Sequence, residues 1–172
     1  MRAVLNLLYR STGALAALGM VGTLLFVATG IVTRPLGLYV RGTDAYAGYT
    51  MAACGFLALA YTYKHGEHIR VSLVLDRLGA RARTIAEWFA LLVAAIVVGM
   101  LAWYSVRLAW FSWQFGDRSQ GIDATPLWIP QLLLVVGSTT FFIALIDDIV
   151  MRALGREPVR LAVHSQEPHR ME

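Results

Sequence analysis

Few side chains in this sequence are of the kinds that do chemistry, and they stand apart from one another. His65, Glu67 and His68 form the tightest group. Imidazoles and a carboxylate are metal-ligand types, and together they can also move protons. Their three-residue spacing follows a helix end and encloses Gly66, so two solvated histidines at a membrane surface fit it better than a metal centre. Glu87 stands four residues after Arg83 and just before Trp88, the spacing of an interfacial ion pair on one helix face. Asp147 and Asp148 have the charge to hold a cation or a partner's arginine, but Arg152 close behind favours a local pair. Asp117, Arg118 and Asp123 crowd one polar turn, which suits a partner protein and plain solvent equally. Cys54, the single cysteine, sits in an apolar run as a small packing residue and excludes a disulfide framework. The sequence contains no Gly-rich phosphate loop and no nucleophile–base pair.

What must position these groups is a set of long apolar segments. Residues 12–33, 45–63, 88–106 and 127–146 contain no Asp, Glu, Lys, Arg or His. Nineteen helical residues reach about 28 Å, close to the thickness of a bilayer's hydrocarbon core. The first segment is too long for a cleaved signal and reads as a retained span. Ionisable groups inside a span are functional by default, so their absence argues against a proton relay, an ion-coupled carrier or a voltage sensor. Paired histidines for an intramembrane haem are also missing. Of 172 residues, 58% are hydrophobic and 15% charged, well below the charge of a soluble domain. The net charge of +4 comes from cations at segment ends rather than from a basic stripe, which speaks against nucleic acid.

The expected architecture is all-α: an integral membrane domain over residues 1–158 with four transmembrane helices, and a flexible tail over 159–172. The spans are placed at about 12–33, 45–63, 84–108 and 126–148. Between the second and third, Gly66 closes the helix, and Val71, Val74, Leu75 and Leu78 recur at helical spacing while Arg70 points elsewhere. This predicts a short interfacial helix at 69–79, lying in the headgroup layer of the lipid bilayer. On the second span, Ala45, Gly48, Ala52 and Gly55 form a small-residue stripe suited to close helix packing. Helical residues of the third span are expected to continue towards Gln114, where Trp103, Tyr104, Trp110 and Trp113 mark an aromatic belt. Thr125 is expected to cap the fourth span, with Pro126 at its first position. Eleven Lys and Arg lie on the side of the amino end, the central loop and the tail, against Arg34, Arg41, Arg107 and Arg118 on the other. That bias predicts cytoplasmic termini.

Two passages carry a family likeness: GYTMAACGFLALAYTYKHGEHIRVSLVL at 48–75, with its distinctive His68-Ile69-Arg70-Val71 string, and TPLWIPQLLLVVG at 125–137. With the placement of the four spans, they make the chain resemble the small membrane subunit (DctQ-type) of tripartite ATP-independent periplasmic (TRAP) transporters, over about residues 5–154. The resemblance implies a bacterial inner-membrane subunit that braces a larger, many-helix subunit. The larger partner would import organic acids with sodium, receiving them from a periplasmic substrate-binding protein. It also implies a docking surface for that binding protein, assigned here to Asp117, Arg118 and Asp123. No substrate, metal or cofactor residue carries over, and the expected protein is not an enzyme. Gly66 and His68 are expected to shape the turn into the interfacial helix. The competing readings are a homo-oligomeric carrier or channel, and a membrane-surface enzyme built on His65, Glu67 and His68.

Overall fold

The computed structural model describes residues 2–38, 40–65, 79–121 and 123–155. Within them the chain forms four helices: α1 (Arg2–Thr33), α2 (Thr43–Lys64), α3 (Ala80–Phe115) and α4 (Trp128–Ala153). Three are long and apolar enough to cross a membrane, namely α1, α3 and α4. The interfacial helix expected at 69–79 lies outside the described residues except for Gly79, and so does the tail at 159–172.

Helix ends depart from the expected spans for identifiable reasons, local at α1 and α3 and tertiary at α4. Arg10 ends an apolar run but does not break a helix, so α1 starts at Arg2. α3 runs to Phe115 and stops where Gly116 turns left-handed at φ 65°; the Asp117 N–H then bonds the Ser112 carbonyl, closing the last turn. The cap expected of Thr125 is not made. Its hydroxyl donates to Tyr46 Oη at 3.3 Å and its carbonyl accepts the Ser119 N–H at 2.8 Å, while Pro126 pairs with Arg118 in an isolated bridge. α4 therefore begins two residues later than expected. Pro130 falls in its first turn, where the missing N–H would have had no helical partner.

Glycines bring the helices together. A Cβ on Gly13 would lie 2.6 Å from the Tyr61 ring, one on Gly19 would lie 3.1 Å from the Cys54 nitrogen, and one on Gly30 would lie 3.3 Å from Thr43 Oγ1. Residue numbers fall on α2 as they rise on α1, so the two run antiparallel along nearly the whole of α2. Gly137 of α4 meets the Phe56 carbonyl, and Gly99 of α3 meets the Phe142 ring of α4. The main contacts thus run α1 to α2, α2 to α4 and α4 to α3, with little between α1 and α4. Tyr9, Ala60, Tyr63, Leu91, Ala95, Ala144 and Leu145 join all four helices in a core towards the amino-terminal end. A second core of Ala16, Ala53 and Leu57, backed by Leu133, omits α3.

α2 is less apolar than its neighbours because Tyr46, Tyr49, Thr50, Tyr61, Thr62 and Tyr63 replace aliphatic side chains. Its position explains how these are accommodated. Thr50 donates to the Tyr46 and Ala47 carbonyls and accepts from Thr23 of α1 at 3.0 Å, and Thr62 bonds back to the Ala58 carbonyl. The Tyr46, Tyr49 and Tyr63 hydroxyls likewise find partners within the protein, in Thr125, Asp123 and Asp148.

Candidate functional site

Polar side chains gather at the two ends of the helix assembly. At the end shared by the start of α1, the end of α2, the start of α3 and the end of α4, Tyr63 donates its hydroxyl to Asp148 Oδ2 at 2.9 Å. Asp148 is only 3% exposed, so this bond matters to its burial. The neighbouring Lys64 contacts Asn6 Oδ1, and its ammonium sits 5.0 Å from the centre of the Tyr9 ring. The buried Tyr9 hydroxyl meets no hydrogen-bond partner among the described residues. Lys64 and Asn6 tie α1 to α2, while Tyr63 and Asp148 tie α2 to α4.

Glu87 completes this end. It accepts from Arg83 Nε at 3.3 Å, the same-helix pair that the spacing predicts, and also from Arg152 Nη1 of α4 at 3.0 Å. The local pairing of Arg152 with Asp147 or Asp148 is therefore corrected: Arg152 reaches across to α3, and Asp148 faces Tyr63. One carboxylate held by two guanidiniums fastens the start of α3 to the end of α4. His65 caps α2 with its ring against Tyr61, centroids 4.1 Å apart, and Nδ1 lies 2.9 Å from the Tyr61 carbonyl. The other members of the imagined cluster, Glu67 and His68, lie outside the described residues, as do Gly66, Arg70, Val71, Val74, Leu75 and Leu78. Among the described residues no group of three His, Cys, Asp or Glu side chains is placed to hold a metal ion.

At the opposite end Asp123 is a hub. Its carboxylate accepts from Ser119 Oγ at 2.9 Å, from Tyr49 Oη at 3.2 Å and from the Thr125 N–H at 3.4 Å. Hydrogen bonding involving Thr125 and Ser119 holds its carboxyl below the usual aspartate value, with the Thr125 side chain the largest cause. Gly42, in the left-handed region at φ 79°, lets the α1–α2 connector pass beside it: an added Cβ would come within 3.0 Å of Asp123 Cβ. A pocket of about 290 Å³ opens here, bordered by Gly30, Arg34, Asp44, Gly42 and Asp123. Arg34 and Asp44 meet at 3.5 Å in full solvent exposure. Asp117 and Arg118 are exposed on the same turn, whereas Asp123 is half-buried and turned inward.

Most of the small-residue stripe on α2 faces away from the other described helices, whereas its first member, Ala45, is half-buried and borders the pocket beside Asp123. Gly48, Ala52 and Gly55 are exposed, and added Cβ atoms on Gly48 and Gly55 would meet nothing within 4 Å. The packing inside this chain uses another face of α2, through Ala47, Ala53, Leu57 and Ala60. Sequence reasoning missed the close approach at Gly137 and the buried Tyr63–Asp148 pair. The first has a sequence signal in Gly137-Ser138, two small residues inside a run of large ones. The second has none, because the partners stand 85 residues apart.

A family model described as "Tripartite ATP-independent periplasmic transporters, DctQ component" matches residues 3–155. No curated protein and no solved structure matches the chain.

Proposed function

The chain belongs to the DctQ-component family of tripartite ATP-independent periplasmic transporters, and from that membership we propose a non-catalytic scaffold that braces the transporter's large membrane subunit. It is a small permease subunit of a TRAP transporter, in a family of transporter components rather than of enzymes. In this reading the large subunit moves organic acids with sodium, and a periplasmic binding protein delivers them to the outer face of the complex.

The observation that carries the scaffold reading is the outward stripe of Gly48, Ala52 and Gly55. Small residues allow helix backbones to approach closely, and here the chain leaves that surface open to another protein. We read α2 as a fourth span. It runs antiparallel beside α1 from Gly13 and Tyr61 to Gly30 and Thr43, so it occupies the layer that α1 crosses. The eleven Lys and Arg on one side support cytoplasmic termini in a bacterial inner membrane. On the other side, Asp117 and Arg118 are the exposed candidates for binding-protein contact, with Asp123 shaping the turn that presents them.

The test is co-purification of the tagged chain with its co-expressed large subunit, followed by reconstitution with the binding protein. Recovery of the large subunit, with sodium-dependent organic-acid uptake only when all components are present, is the expected result. Gly48→Leu with Gly55→Leu should lower recovery of the large subunit and leave the lone chain folded. Uptake by the lone chain would overturn the scaffold reading.

A further inference from the structure

Asn6, Arg10 and Lys64 meet where α1 and α2 leave the apolar layer. Arg10 stands two residues before the uncharged stretch at 12–33 and Lys64 directly follows the one at 45–63, so both cations sit at the same boundary. Asn6 and Arg10 lie one turn apart on one face of α1. The Lys64 ammonium contacts Asn6 Oδ1 and rests over the Tyr9 ring. With that oxygen occupied, the Asn6 amide nitrogen is left as a donor, and it bonds nothing among the described residues. No carboxylate among them pairs with Arg10 or Lys64. The two cations act on each other instead: Lys64 is held below the ordinary lysine value, first by burial and then by the charge of Arg10, while Asp147 of α4 opposes both more weakly. Two cations and an amide donor in one place suit an oxyanion that brings no positive group of its own.

The surface beside them states what carries that oxyanion. From Arg10 the same side of α1 continues into the apolar layer through Ala14, Ala17 and Val21, all of them exposed. Arg10 to Val21 rises about 16 Å, about half of a hydrocarbon core of roughly 30 Å. Donors at the boundary followed by apolar surface through one leaflet match the order in which a phospholipid presents its phosphate and its acyl chains. A free phosphate would use the donors and leave the stripe idle.

We propose that Asn6, Arg10 and Lys64 bind the phosphate of an anionic phospholipid, one with no ammonium in its headgroup, whose acyl chain lies along Ala14, Ala17 and Val21. The site needs α1 to cross the bilayer and does not depend on the transporter assignment.

The experiment titrates the purified full chain in mild detergent with phosphatidylglycerol and, separately, with phosphatidylcholine of the same acyl chains, and counts bound lipid by native mass spectrometry. One cation near an anionic headgroup is worth about fivefold in affinity, so the wild type should prefer phosphatidylglycerol about twentyfold, and Arg10→Gln or Lys64→Gln should each cut that preference about fivefold. Lys64→Arg should keep it. Asn6→Asp should abolish it while the chain melts at the wild-type temperature or above, because the new carboxylate pairs with Lys64 at an exposed position. Inorganic phosphate at millimolar concentration should not displace the lipid. Equal binding of the two lipids by the wild type, a preference that survives Asn6→Asp, or displacement by inorganic phosphate overturns the inference. Loss of the lipid when the chain assembles with the large subunit also overturns it, and assigns the two cations to a carboxylate of that partner.

Discussion

Replacing Gly137 with alanine should separate α2 from α4. The new Cβ would lie 2.5 Å from the Phe56 carbonyl oxygen and 2.6 Å from its carbonyl carbon, and both are backbone atoms that no rotamer change can move aside. Ordinary contact between such atoms needs about 3.5 Å, so the helices must part by roughly 1 Å locally. Overpacking of this kind costs about 1–3 kcal/mol. The better helix propensity of alanine returns about 0.5–1 kcal/mol, leaving a net loss of up to about 2.5 kcal/mol. Gly48→Ala and Gly55→Ala are matched controls, since their Cβ atoms would meet nothing within 4 Å. The assay is thermal unfolding of the purified chain in mild detergent. Gly137→Ala should melt several degrees below the wild type, and the two controls at or slightly above it. A Gly137→Ala chain as stable as the controls would refute the close approach of α2 and α4.

Two further outcomes follow from the polar ends. Tyr63→Phe removes the phenol that donates to the buried Asp148, so the same melt should show a loss of about 1.5–3 kcal/mol, the scale of a hydrogen bond to a charged group. An unchanged melting temperature would mean that this bond does not support the burial of Asp148. Asp123 has its carboxyl held below the ordinary value near 3.8, so it contributes stability above that value and loses it as pH falls through the lower folded one. Protease resistance of the outer turn should stay flat from neutral pH down to the ordinary carboxylate range and decline only below it. Asp123→Asn should be weakened already at neutral pH and show no such acid-dependent decline; an equal decline in both proteins would rule out Asp123 as its source.

Segment length, the location of charges and the class of the protein were all legible in the residues. Runs of 19 or more uncharged residues are a one-dimensional property, and a helix in lipid satisfies its own backbone without reference to its neighbours. The Arg83–Glu87 pair was legible for the same reason, since it depends on residues within about one turn. Thr125 shows the limit of local reasoning. A good capping residue was taken by Tyr46, 79 positions away, and the helix start moved with it.

Tertiary structure alone decided which faces meet. The stripe of Gly48, Ala52 and Gly55 was visible as suited to close packing, but small residues say only that an approach is possible. The described chain packs another face of α2 and leaves this one open. The partner of Arg152 changed from its own helix to Glu87, because a charge goes to the partner that desolvation and geometry favour rather than to the nearest in sequence. Residue types establish that a helix can lie in a membrane; its register against its neighbours decides where each side chain stands.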